Sequence, residues 1–354
     1  MHFSKLARLL LVSALAGVAL SLPGADVGMA RPKPAPAAPP PPPPLPEVSL
    51  AARFVNDAAA FESYMRRAAL ISPAFTDSQG VARALRVGAA YRSDQVLRGE
   101  IAYAAIAALQ SPVFVAAVRE AGATPEGRYA VVRRIFADPG AALTFKGADA
   151  AAGLARQALT GDGMRLFTAG KSVRQAAYDI QRQPWSLQDV EGRDQRLDAV
   201  KGLDRTPMPA ATDVAGQLQE ASTGRAVLNL SAEPYAHPHS QLLVRAVALA
   251  ALGAIGEAGE AQADNVGWLL QDYFTAHCLA EAKLALNECL AVARPNYEDV
   301  FCLGQHVMAD TGACVVRGGG GTVPIEIATR PLKVPPAHGA AAGKHGATHR
   351  RHAH

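Results

Sequence analysis

Residues 264–314 read DNVGWLLQDYFTAHCLAEAKLALNECLAVARPNYEDVFCLGQHVMADTGAC, and they hold all four cysteines of the 354-residue chain. Phe274, Cys278, Ala282, Ala285, Cys289 and Val292 recur at intervals of three and four. That spacing puts them on one face of a helix, and the pattern predicts a single helix over 264–293. Arg294-Pro295-Asn296 interrupts it, since proline lacks the amide donor that a helix interior needs. Asn296 is a suitable N-cap for a second helix, with Glu298 and Asp299 complementing its positive end. The second helix carries Phe301, Cys302, Leu303, Val307 and Met308, and Gly312 is the expected C-cap.

Geometry ranks the three ways of pairing four cysteines. Cys278 and Cys289 on one helix would stand about 16 Å apart at 1.5 Å per residue, whereas a disulfide spans less than about 7 Å between Cα atoms. In an antiparallel hairpin, bonded positions share a midpoint. Cys289 with Cys302 and Cys278 with Cys314 both centre on Pro295-Asn296, whereas the crossed pairing centres on two different places. The expectation is therefore the nested pair Cys289–Cys302 and Cys278–Cys314. Structural zinc is the competing use of four cysteines, but it favours C-x2–4-C ligand pairs that this segment lacks.

Disulfides require an oxidising compartment, and the other end of the chain agrees with one. Lys5 and Arg8 precede an uncharged apolar run, Leu9–Leu22, and Gly28-Met29-Ala30 supplies small residues for cleavage. Residues 1–30 thus read as a secretory signal. A retained inner-membrane anchor through residues 9–22 is the alternative, although the run falls short of the roughly 20 residues of a span. Residues 31–48 contain six consecutive prolines, Pro39–Pro44, and form a stiff polyproline linker. Residues 331–354 are basic and rich in histidine, with His338, His345, His349, His352 and His354, and are expected to be disordered.

Between these ends the spacing is helical and strand signals are few; Ala226–Leu230 and Thr322–Ile327 are the best of them. Helices are expected from Ser49 and Asp94 as caps, from Thr124-Pro125 as a start, and over 149–159, 162–182, 187–203 and 214–221. Gln241–Ile255 is nearly all apolar, but it is short and contains Arg245, so it reads as a core helix. The fold class is all-α: a multi-helix globular body with a stapled C-terminal hairpin, a proline-rich linker before it and a basic tail after it. Breaks at 205–210 and 231–240 divide the body into 49–205 and 206–330, two regions that can equally form one domain.

The formal charge of +4 sits in the ends. Removing the four bases and two acids of 1–47 and the four bases of 333–354 from totals of 35 and 31 leaves 27 and 29 in residues 48–332, a body of −2. Such a body is not built for nucleic acid. The basic tail suits an anionic envelope surface by simple attraction, and its histidines suit weak binding of a divalent metal.

Two His–carboxylate pairs at i,i+4, His277/Glu281 and His306/Asp310, are the candidates for acid–base or metal chemistry. As surface pairs they would stabilise the helix by a few tenths of a kcal/mol each. Asp310-Thr311-Gly312-Ala313 matches an aspartic-protease signature but occurs once, outside the all-β setting that chemistry uses. Gly170-Lys171-Ser172 ends like a phosphate loop, yet Arg165 stands where the first glycine belongs and no strand precedes it. No cofactor is predicted. The expectation is an exported bacterial cell-envelope protein with a structural or binding role. A periplasmic hydrolase working through His277, Glu281, His306 or Asp310 is the second reading, and a metal binder working through the tail histidines the third.

Overall fold

The computed structural model describes residues 45–324 apart from 232 and 237. The expected signal over 1–30, most of the proline-rich segment and the histidine-rich tail lie outside the described residues. The described chain is all-α: α1 (Ala52–Ala69), α2 (Ser78–Gly88), α3 (Ser93–Ala108), α4 (Pro112–Ala121), α5 (Pro125–Ala137), α6 (Ala148–Asp179), α7 (Arg193–Leu203), α8 (Thr212–Ser222), α9 (Gln241–Ala254), α10 (Ala263–Val266), α11 (Tyr273–Val292), α12 (Asn296–Cys302) and α13 (Thr311–Gly318). A π-helical segment, Leu303–Asp310, joins α12 to α13, so the chain stays helical from 296 to 318. Among the described residues no strand forms, and Ala226–Leu230 is irregular. No single described helix is long and apolar enough to cross a membrane.

Alanine explains the tightness of the interior. In α3, every residue from Gly99 to Ala108 is buried, five of them alanines. Side chains this small let α1, α6, α9 and α11 approach α3 together. One continuous core runs from Leu50 to Val315, so helices on both sides of the 205–210 break share it. The expected core helix over 241–255 is α9, buried from Ala246 to Ala254.

α6 is the axis of the body. It spans 32 residues and absorbs the two helices expected over 149–159 and 162–182. The gap expected at 160–161 does not exist, and Gly163 just after it is a contact. A Cβ placed there would lie 2.9 Å from the Gly312 carbonyl oxygen, and one on Gly312 would lie 2.6 Å from the Phe167 amide nitrogen. One on Gly170 would lie 2.5 Å from the Ala309 amide nitrogen and 2.7 Å from the Gly304 carbonyl oxygen. Gly163 and Gly170 on α6, with Gly304 and Gly312 opposite, bring two helical backbones into direct contact. Gly312 therefore does not stop a helix, as its sequence context suggests; it lies inside one, against α6.

The hairpin is stapled as expected. Cys278 bonds Cys314 and Cys289 bonds Cys302, each with Cα atoms 5.7 Å apart. Its first helix is shorter than expected: residues 264–271 form α10 and a 3-10 turn, and α11 starts after Asp272, whose carboxylate accepts from the Thr275 amide at 2.8 Å. The buried face of α11 is also rotated from the expected one. Leu279, Ala282, Leu286 and Leu290 face the core, while Phe274 and Val292 are about three-quarters exposed. The half-buried Cys278 and Cys289 lie on its flank, from which a sulfur can reach sideways to the buried Cys314 and Cys302.

The turn at 295 is held from outside the hairpin. Residues 187–192, expected as helix, instead run beside it: Val190 donates to the Arg294 carbonyl at 2.8 Å and Asn296 to the Gln188 carbonyl at 3.1 Å. The Asn296 side chain is buried and donates to the Gln188 and Trp185 carbonyls, so Asn296 opens α12 from inside and does not cap it. Arg193 and Arg196 of α7 take the carbonyls of Leu290, Ala291 and Ala293 that the end of α11 leaves unpaired.

Gly170→Ala is expected to lower stability by roughly 2–3 kcal/mol, because neither backbone can retreat from the added methyl. Gly202→Ala, where nothing lies within 4 Å, is expected to raise it by up to about 1 kcal/mol through helix propensity. Urea unfolding of the two variants beside the parent tests the contact; equal effects would show that the α6 glycine is not a packing residue.

Candidate functional site

The two His–carboxylate pairs lie in different settings. His277 and Glu281 are exposed on α11, 4.0 Å apart, with the His277 ring stacked on Tyr273. His306 and Asp310 belong to the π-helical segment, which packs against α6 and α11. A π-turn brings residues five apart together as well as four apart. Asp310 uses both spacings: one oxygen pairs with His306 Nδ1 at 2.9 Å, the other accepts from Gln305 Nε2 at 2.8 Å. Gln305 in turn accepts from Arg174 of α6 at 2.6 Å. Asp310 thus orients the His306 ring through Nδ1, which leaves Nε2 as the working nitrogen of any proton transfer. The Thr311 hydroxyl next to it is engaged with the Tyr91 hydroxyl at 3.1 Å.

His277, Glu281, His306 and Asp310 line none of the five cavities described for this body. Among the described residues no group of three or more His, Cys, Asp and Glu side chains is placed to hold a metal ion. The five tail histidines, His338 to His354, lie outside the described residues.

The cavities lie elsewhere, and three bear on function. A pocket of about 310 Å³ lies beside the Cys289–Cys302 bridge, with Tyr178, Tyr297 and Phe301 in its wall. A second, of about 360 Å³, is walled by the Cys278–Cys314 bridge, Asp272, Phe274, Ser240 and Arg317. The largest of those described, about 770 Å³, is a trough between α1 and α6, flanked by Arg66 and Arg165, lined by Ala69, Met164 and Ala169 and edged by Leu70.

The body also contains buried acids that the spacing of the sequence concealed. Glu100 of α3 is fully buried, and neither carboxyl oxygen has a hydrogen-bond partner among the described residues. It lies directly behind Gly318 in the wall of the 360 Å³ pocket; a Cβ there would collide with Glu100 Oε1. Burial first, then the charge of Asp272, pushes the Glu100 carboxyl well above its ordinary value, so it is held as the neutral acid. Glu62 of α1 and Asp162 of α6 form a buried pair. Glu62 Oε1 accepts from Arg66 at 2.5 Å, and Asp162 Oδ1 from Arg165. The remaining oxygens, Glu62 Oε2 and Asp162 Oδ2, find no donor among the described residues. Two carboxyls buried side by side repel when both are charged, which favours a proton on one of them. Burial, then the hydrogen bond and charge of Glu62, holds Asp162 well above the usual carboxyl range, against the charges of Arg165 and Arg66.

Compared with known proteins, the chain matches no family model, no curated protein and no solved structure. Its function must be read from its own residues.

Two further charged groups are structural. Lys283 is buried on α11 but fully engaged: it donates to the carbonyls of Ala89 and Tyr91 at 2.9 Å, pairs with Asp204 at 2.7 Å and sits 3.9 Å from the Tyr91 ring centre. Asp299 pairs with Arg196, and burial still pushes its carboxyl up to about 6.

Glu100 has a measurable signature. The unfolded chain ionises this carboxyl at the ordinary value, near 4.3, whereas the folded chain keeps its proton to higher pH. Its contribution to stability is therefore complete below the ordinary value and is lost as pH rises from there through the raised one. Glu100→Gln is expected to remove that loss, up to about 1.4 kcal/mol per pH unit over the window, and to leave stability at neutral pH equal or higher. Denaturant midpoints followed across pH read this; parallel pH profiles for parent and variant would place the Glu100 carboxyl in water.

Proposed function

We propose that this is an exported envelope protein of a bacterium that works by binding rather than by catalysis. The observation that carries the reading is the pair of nested disulfides: all four cysteines are bonded, and both bridges tie the longest surface helix of the C-terminal half to buried positions. Such bridges persist in an oxidising compartment. The N-terminal sequence supports export, with its basic start, apolar run and small residues at 28–30. Binding is favoured over catalysis by how the reactive groups are placed. Among the described residues no hydroxyl or thiol is hydrogen-bonded to the side chains of the orienting pair His306–Asp310, and of this pair the Thr311 hydroxyl reaches only the His306 backbone carbonyl. The cavities are walled mainly by apolar, hydroxyl and arginine side chains.

The hydrolase reading keeps one observation in its favour, the Gln305–Asp310–His306 chain of hydrogen bonds. Ester hydrolysis that survives His277→Ala but is lost in His306→Ala would promote it over binding.

Export is tested by fractionating cells that produce the full chain and alkylating the protein before and after reduction. The expected result is a periplasmic protein processed near Ala30, with four thiols that react only after reduction. An uncleaved chain in the membrane fraction with the same four masked thiols would select the anchored form. A cytoplasmic protein with four reactive thiols would overturn the proposal.

A further inference from the structure

The trough between α1 and α6 has features that the fold alone does not need. Leu70 stands at its edge and is 82% exposed, the highest value for any large apolar side chain described. Along α6 the trough runs from Gly161 to Ser172, about 16 Å at 1.5 Å per residue, which is the reach of a medium-length alkyl chain. Its volume, about 770 Å³, lies in the usual range of small-molecule sites.

The flanks are cationic in a particular way. Arg66 and Arg165 each hold one oxygen of the buried Glu62–Asp162 pair, and each is roughly half exposed to the trough side. With Asp162 held as the neutral acid, the formal charges of the four side chains sum to two positive and one negative, a net +1. From α3 the one titratable group facing the pair is Tyr103, which burial keeps neutral. An apolar floor beside a net single positive charge is complementary to one kind of ligand.

We propose that this trough binds a single-chain amphiphile with one anionic head, its chain on Leu70, Met164 and Ala169 and its head between Arg66 and Arg165, and that the buried carboxyls behind these two arginines set its affinity. The proposal deepens the binding reading above by naming the ligand class, and it does not depend on where the protein resides. When the pair releases its proton, the net charge of the four groups falls to zero and the attraction for the head is lost. Affinity therefore falls as pH rises.

The test is calorimetric titration of the oxidised full chain with decanesulfonate, whose own charge does not change with pH. Saturable one-to-one binding is expected, at least tenfold tighter than that of decanol, and weakening as pH rises. Thr168→Trp alters an exposed position on the trough wall and is expected to weaken binding at least tenfold with an unchanged helical spectrum. Arg165→Gln should bring decanesulfonate down to the affinity of decanol. Asp162→Asn, which mimics the protonated acid, should bind at high pH as the parent does at low pH. No binding, equal affinity for decanol, indifference to Thr168→Trp, or a parent affinity independent of pH would each overturn the proposal. Capture by phosphatidylglycerol vesicles without binding of the free amphiphile would also overturn it, in favour of a membrane surface. A failure here leaves the export result untouched, and a cytoplasmic location leaves this titration untouched.

Discussion

The contact on which the body depends is backbone against backbone. Gly163 and Gly170 of α6 meet Gly304 and Gly312 with no side chain between them. Helices this close exchange dispersion contacts along their main chains, and they tolerate no added methyl on either side. The close approach fixes the position of the whole 296–318 run. That run in turn fixes where Cys302 and Cys314 lie, and so where α11 must pass for its two sulfurs to reach them. The π-helical turns at 303–310 fall in the same stretch, between Gly304 and Gly312. Glycines seven apart on α6 face glycines eight apart opposite, and a wider helix is one way of bringing unequal spacings into register.

Around this seam the body hides an unusual amount of charge for so apolar an interior. Lys283 and the Arg196–Asp299 pair are buried with their partners and mark where α11 and α12 dock on α7 and on the α2–α3 connection. Glu100 and Asp162 differ, because burial outweighs whatever charge lies near them: Glu100 has no partner among the described residues, and Asp162 stays raised despite Arg165. Burying an ion costs far more than burying a neutral acid, so each site keeps the neutral form where it can. Asp299, pushed up to about 6 despite Arg196, belongs with both groups, and together these acids tie the state of the interior to the acidity outside.

Much of the fold was legible in the sequence because it rests on periodicity and on chain geometry. The all-α class followed from apolar spacing, and the nested bridges from the shared midpoint at Pro295-Asn296. What misled was local chemistry overruled by packing. The gap expected at 160–161 and the stop expected at Gly312 arise because glycine is also the residue of turns; only a partner helix shows that Gly163 and Gly312 are points of contact. Leu187–Gly192 has helical spacing, but its backbone groups pair instead with the 294–296 turn. The face of α11 was misassigned because cysteine was counted as a core residue, whereas a bridging sulfur belongs at the edge. The buried acids were hidden by their own partners: Glu62–Arg66 and Asp162–Arg165 look like surface ion pairs at helical spacing. Glu100, set in LRGEIAYAAIAAL, has no such partner, and a carboxylate within that run was the one available signal.

The nesting of the bridges also governs how the chain comes apart under attack. Residues 278–314 are closed into a loop that contains a smaller loop. The exposed end of α11, Ala291 and Val292, lies inside both loops. A protease that cuts there releases nothing, because both fragments stay joined through two sulfur bonds, and the glycine seam with α6 is not broken by the cut. A cut at this exposed corner of the hairpin would leave a nicked molecule of unchanged mass but for one added water, still folded around the same axis.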